Sequence, residues 1–246
     1  MIEEGQSSGA DDDGGGSAEE SPDQIADKSK KKGSFWKELP ILLGVAILVA
    51  VVVRTFVIQT YYIPSGSMET TLELNDRVLV NKLVYNFSEP ERGDIIVFHA
   101  PESWRTNMEE DEFIKRVIAV GGDHVVCCDD QGRITINGEP LDETDYLYVN
   151  PLTGDQNVPS QDPFDLVVPD GRIWVMGDHR QASGDSRQRF KDTCTHLPYT
   201  PTCGDIQAST IAVDDVIGKA FVLFWPFDHF NWFSEPATFE DVPDPS

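Results

Sequence analysis

Apolar and polar positions follow three different patterns along this chain, and they divide it into three stretches. Residues 1–33 hold almost no apolar side chains. GADDDGGGSAEESPDQ is acidic and rich in Gly and Ser, so it has nothing to bury and is expected to be a disordered tail. From Ile41 to Val53 the pattern inverts to an apolar run without a charge. Leu39-Pro40 before it and Thr55-Phe56-Val57-Ile58 after it extend the run to about 20 residues, the length of a helical membrane span. Arg54 can reach the outer interface along its own stem. No small-x-small cleavage pattern follows, so 38–58 is expected to be an uncleaved anchor. The basic cluster Lys28, Lys30, Lys31, Lys32 and Lys37 lies ahead of it. By the positive-inside rule that places the N-terminus in the cytoplasm and everything after about Gln59 outside the cell membrane, with Phe35, Trp36, Tyr61 and Tyr62 as interfacial belts.

The third stretch, 60–246, reads in short β-branched runs bounded by turn residues. Strands are expected at 77–82, 94–98, 113–120, 124–127, 133–136, 173–176 and 219–224. DDQG and Asn137-Gly138 supply hairpin turns. Segments 101–112, 140–170 and 188–210 are expected to be loops. No strong amphipathic helix pattern occurs beyond the anchor, so this domain is expected to be mainly β.

Charge narrows the partners. The 246-residue chain has a formal charge of −24, and residues 60–246 carry 13 Lys and Arg against 33 Asp and Glu. A chain this acidic has no face for phosphate, which argues against nucleic acid. The four cysteines lack zinc-site spacing. Cys194 and Cys203 form a candidate disulfide in a loop on the exported side. Cys127 and Cys128 are not expected to bridge each other, since adjacent cysteines cannot do so without strain. They point to opposite faces of a strand, so at least one is expected to be core, and pairings of either with 194 or 203 stay open. The acidic run Glu109, Glu110, Asp111 and Glu112 reads as a solvated loop and not a metal site.

Candidate chemistry centres on TYYIPSGSMETTLEL, residues 60–74, just past the anchor. Pro64 stiffens the approach and Gly66 frees the backbone, so Ser67 can be presented outward with the Ser65 hydroxyl two residues behind. Alone, such a segment is an ordinary turn. Lys115 shares a strand face with Phe113 and Val117. Its stem either lies along the surface or carries a desolvated amine, and a desolvated amine can lose its charge and accept a proton from a serine. No histidine has an obvious triad partner. A third segment, Met176–Arg187 (MGDHRQASGDSR), is either a loop tied by ion pairs such as Asp185 with Arg187 or a support loop in which Ser183 holds the lysine amine.

Taken in order, the anchor, YYIPSGSMETTL, RGDIIVF, FIKRVIAVGGD and GDHRQASGDSR resemble bacterial type I signal peptidases. The resemblance implies a signal-peptidase-like antiparallel β domain outside the membrane. It implies Ser67 as nucleophile, Lys115 as general base, the Ser65 hydroxyl and Ser67 N–H as oxyanion hole, and Ser183 as the residue orienting the lysine. Asp178, Asp185 and Arg187 would support the loop. Substrates would be secretory preproteins with small residues at −1 and −3, bound as an added strand against Tyr62, Ile63, Pro64, Phe113 and Ile114, with no metal or cofactor. The chain departs from the common pattern at Thr70 and Gly121, where proline is usual, and at His179, where asparagine is usual.

Phe221–Phe233 (FVLFWPFDHFNWF) is either core strand with packed loop or a patch that seats the domain on a lipid bilayer, with Met68 in the same patch. Two rivals to a protease are a non-catalytic, membrane-anchored surface-binding domain and a Ser–Lys self-cleaving regulator. The regulator would need a DNA-binding module where the tail and anchor stand.

Overall fold

The computed structural model describes residues 32–105, 111–194 and 198–245, with the side chains of 32–37 and 55–56 outside the description. The expected acidic tail up to Lys31, the side chains of Lys32, Phe35, Trp36 and Lys37, and Glu109 and Glu110 therefore lie outside the described residues.

Helix α1 spans Lys32–Val52 and runs through Pro40. Its successive apolar side chains, among them Ile41, Leu42, Leu43, Val45, Ile47 and Leu48, are exposed, leaving no polar face to set one side against another. Among the described residues no helix is long and apolar enough to cross a membrane. The helical hydrogen bonding changes before the predicted end of the anchor. Val53–Val57 forms a π-helical turn, and Ile58 already belongs to a strand. The chain divides into two compact units between Leu48 and Val49, and every strand belongs to the second.

That second unit holds two antiparallel sheets. The larger contains β1 (Ile58–Tyr62), β2 (Arg77–Asn81), β3 (Ile95–His99), β4 (Glu112–Val120), β9 (Arg172–Met176), β10 (Ile211–Ala212), β11 (Val216–Trp225) and β12 (Asn231–Trp232). Its order is β1-β2-β11-β3-β4-β9-β10, with β12 beside the end of β11. The smaller contains β5 (His124–Cys127), β6 (Ile134–Ile136), β7 (Glu139–Pro140) and β8 (Phe164–Val167), in the order β7-β6-β5-β8. Strand β2 alternates buried and less buried positions, as a half-covered strand should, whereas β3 is buried from Ile95 to Phe98 and β4 from Lys115 to Ala119. Ile118, Trp174 and Met176 of the larger sheet meet Val125, Ile136 and Phe164 of the smaller one in a shared core.

Three expectations need correction. The 140–170 segment contains β8, four residues between prolines that carry too little pattern to identify a strand. The 188–210 segment contains part of α2 (Ser186–Asp192) and all of α3 (Ile206–Ser209). Each is at most two turns, too short for a visible 3.6-residue period, and the caps Asp185 and Asp205 are the only local signals. Cys127 and Cys128 do bridge each other. The peptide between them is cis, and their Cα atoms are 2.9 Å apart, closer than a trans peptide allows. Cys194 and Cys203 are joined as well, with Cα atoms 5.0 Å apart.

Candidate active site

The chain leaves β1 extended through Ile63-Pro64-Ser65 and then makes a 3-10 turn over Gly66–Met68. Ile63, Met68 and Leu72 are buried in one apolar cluster with Val78, Val80 and Leu223, so the turn is pinned to the sheet by its own neighbours. Met68 thus belongs to the core and not to a surface patch. Leu72 N–H donates to Met68 O at 2.7 Å and closes the following turn. Within that turn Thr70 has φ +88°, an angle closed to proline and costly for a β-branched residue. The position where a rigid proline is usual is therefore a strained, exposed threonine. Thr70→Gly should raise unfolding stability by about 1 kcal/mol, the relief of left-handed strain less glycine's entropy. Thermal unfolding checks this through an upward shift in Tm, and an unchanged or lower Tm would refute it.

Strand β4 pairs with β3 over Glu112–Arg116 but with β9 only from Arg116 onward. Strand β9 ends at Met176, so among the described residues no strand pairs with Glu112–Lys115 on the side away from β3. Lys115 Nζ lies 2.7 Å from Ser67 Oγ and donates to Ile114 O at 2.9 Å. Ser67 is 6% exposed and Lys115 5%. Burial lowers the Lys115 pKa from 10.5 to about 8, while the carboxylates of Asp185 and Asp178 pull it upward. A dry amine that is substantially neutral near pH 8 therefore sits within hydrogen-bond reach of a serine hydroxyl. The Ser65 hydroxyl, on the exposed side of the turn, is 3.4 Å from Ser67 Oγ.

The support loop approaches through Gly177. A Cβ there would lie 2.3 Å from Ser183 Oγ and 2.4 Å from Ser67 O, so only glycine permits this contact. Ser183 does not hold the lysine. Its hydroxyl oxygen is buried without a hydrogen-bond partner among the described residues, while the amine engages Ser67 and Ile114. Burial pushes the neighbouring Asp185 carboxyl up, but Arg187 and the Gly177 N–H bring it below the usual range. Asp185 caps α2, accepting from the Arg187 backbone at 3.1 Å, from the Arg187 guanidinium at 3.0 and 2.8 Å, and from Gly177 N–H at 3.1 Å. Asp178 accepts two bonds from Arg116, at 2.9 and 2.7 Å, and one from Thr71. Arg116 also lies over the Tyr146 ring, and a buried Arg180–Glu143 pair stands beside them. These arginines and Glu143 carry no sequence signal, because a charged residue in a strand or loop gives no hint of a distant partner.

A cavity of about 220 Å³ opens beside Ser67 and Lys115. Pro64, Ser65, Phe113 and Ile114 line it, together with Trp104, Glu112 and Arg189. Of the expected substrate contacts, Tyr62 is exposed with its hydroxyl bonded to Asn75. Ile63 cannot serve. Its side chain is buried, its N–H donates to Asp76 O and its carbonyl accepts from Asn75 N–H. Among the described residues no group of His, Cys, Asp or Glu could hold a metal ion.

The family model described as "Signal peptidase, peptidase S26" matches residues 36–225. A Mycobacterium leprae protein named "Probable signal peptidase I" is 39% identical, with 80% of this chain and 78% of that protein covered. A signal peptidase I of Mycobacterium tuberculosis is 37% identical over 79% of this chain and 74% of its own length. A crystal structure of a signal peptidase I from Enterococcus faecalis is 28% identical, covering 54% of this chain and 97% of that one at a TM-score of 0.37.

Proposed function

The chain belongs to the signal peptidase family, peptidase S26, and on that premise we propose that it cleaves signal peptides from secretory preproteins with Ser67 as nucleophile and Lys115 as general base. The carrying observation is the 2.7 Å approach of a buried, pKa-depressed amine to a serine hydroxyl. Ser67 Oγ attacks the scissile carbonyl while its proton passes to neutral Lys115 Nζ. The Ser67 N–H and the Ser65 hydroxyl receive the developing oxyanion. The new ammonium then protonates the leaving amine. Water then enters and gives a proton to Lys115 as its oxygen attacks the acyl carbonyl, and Lys115 returns that proton to the departing Ser67 Oγ, releasing the signal peptide with a free carboxyl end. No metal or cofactor is required.

The substrate enters extended along the open edge of Glu112–Lys115, so alternate side chains reach the cavity formed by Pro64, Phe113 and Ile114. The family resemblance implies small residues at the −1 and −3 positions, and the same cavity would receive them. A binding-only domain would have no use for a desolvated amine beside a serine.

Members of the signal peptidase I family are membrane-anchored. The apolar run 38–58, with lysines ahead of it, supports a single span with the N-terminus in the cytoplasm and 60–246 outside. Within the β domain, Val222 and Leu223 are core, but Trp225, Phe227, Phe230 and Trp232 are exposed. Trp225 and Tyr62 both pair with Arg77 in register, so this aromatic ledge runs beside the segment leading to Ser67. Aromatic side chains of this kind suit the headgroup region of a bilayer.

The test is cleavage of a precursor whose signal ends in Ala-x-Ala. The full-length protein should cut after the second Ala, and Ser67→Ala should leave the precursor intact at equal protein and equal Tm. Cleavage by Ser67→Ala would overturn the assignment of the nucleophile.

A further inference from the structure

The turn carrying Ser67 is gripped from the side of the support loop by His179. The His179 backbone N–H donates to Ser67 O at 3.1 Å. Its ring Nδ1 lies 2.9 Å from Glu69 Oε2 and 3.2 Å from Gly66 O. Both of those partners are acceptors, so Nδ1 carries the hydrogen and shares it between them. The Tyr148 ring stacks on the imidazole with centroids 3.8 Å apart and planes within 15°. Tyr148 N–H in turn donates to Asp178 O, tying the stack to the same loop. The Glu69 carboxylate lies against Gly66, where a Cβ would come within 2.6 Å of its Oε1. One residue thus bonds to Gly66, Ser67 and Glu69.

The Gly66 carbonyl and the Ser67 N–H belong to a single peptide plane, and in a trans peptide they point in opposite directions. A donor that holds the carbonyl on one side therefore aims the N–H on the other. We infer that His179, together with Glu69, is a positioning residue that fixes the Gly66–Ser67 peptide so that its N–H faces the developing oxyanion. The inference rests on the proposed role of Ser67.

Two substitutions separate the donor from the ring. His179→Phe keeps a flat ring for Tyr148 and removes the donor, whereas His179→Asn keeps an N–H near the Nδ1 position and gives up the stack. His179→Phe should lower kcat on the precursor peptide by about 10- to 100-fold with KM within about threefold, the size expected of a misaimed catalytic group. His179→Asn should recover most of that loss. Wild-type kcat in His179→Phe, a change in KM alone, or an equal kcat loss in His179→Asn would each overturn the inference. Should His179→Phe fail to give the native near-UV circular dichroism, Glu69→Leu provides the same reading. A kcat loss at constant KM supports the clamp, and wild-type kcat refutes it. Ser67→Ala run alongside distinguishes the two levels. If Ser67→Ala cleaves, the nucleophile assignment itself fails; if it does not and His179→Phe is wild-type, only the clamp fails.

Discussion

Lys115→Met and Lys115→Arg are both expected to lose signal-peptide cleavage, with kcat falling on the order of 10⁴-fold or more, as when one member of a nucleophile–base unit is removed. Methionine fills much of the same apolar volume beside Phe113 and Ile114 but has no lone pair suited to take the serine proton. Arginine keeps the charge, and that is its defect, because a guanidinium stays protonated at any working pH. The pair of variants therefore separates the need for a base from the need for a cation or for packing. Among the described residues Lys115 makes two hydrogen bonds, to Ser67 Oγ and Ile114 O. Lys115→Met should accordingly keep its Tm close to wild type. Single-turnover kinetics with circular dichroism on the same samples checks both halves. Wild-type kcat in either variant would remove Lys115 from the reaction.

The second large effect belongs to Ser65. Ser65→Ala should lower kcat by roughly 100- to 1000-fold, the loss seen when one oxyanion donor is removed. KM should change little, because the hydroxyl is needed for the charge that develops in the transition state and not for ground-state binding. Ser65 is exposed, so stability should hold. Ser65→Thr, which retains a hydroxyl, should stand well above Ser65→Ala. A Ser65→Ala enzyme that altered KM alone would place Ser65 in substrate binding instead.

Strands were readable where composition and period agreed. The run 113–120 is observed as Glu112–Val120, and 124–127 is observed without change. Strand β8 was not readable because it stands between prolines in a turn-rich segment, and the two helices because four to seven residues show no 3.6-residue period. The Ser67–Lys115 pair was legible only through the order of several weak segments, because nothing local in FIKRV says that its lysine turns inward. Pairing geometry was the least legible level. Ser183 was expected on the lysine, but the serine hydroxyl stands behind Gly177 and the backbone carbonyl of Ile114 takes the amine instead. Ile63 sits in the motif next to exposed residues, yet the turn at Asn75–Asp76 consumes both its backbone groups. At His179 the departure from the common asparagine was visible, whereas its bonds to Glu69 and Gly66 depend on two loops meeting and could not be read from either one.

The central claim is that a neutral Lys115 accepts the Ser67 proton, and the pH dependence of kcat/KM in the wild-type protein tests it most directly. Below its pKa the amine is protonated and cannot act as a base. The rate should therefore fall tenfold per pH unit on the acid side, bend near the depressed value of about 8, and level off above it. An acid limb that bends only near 10.5, the ordinary lysine value, or a rate flat from pH 9 down to pH 5, would contradict the account.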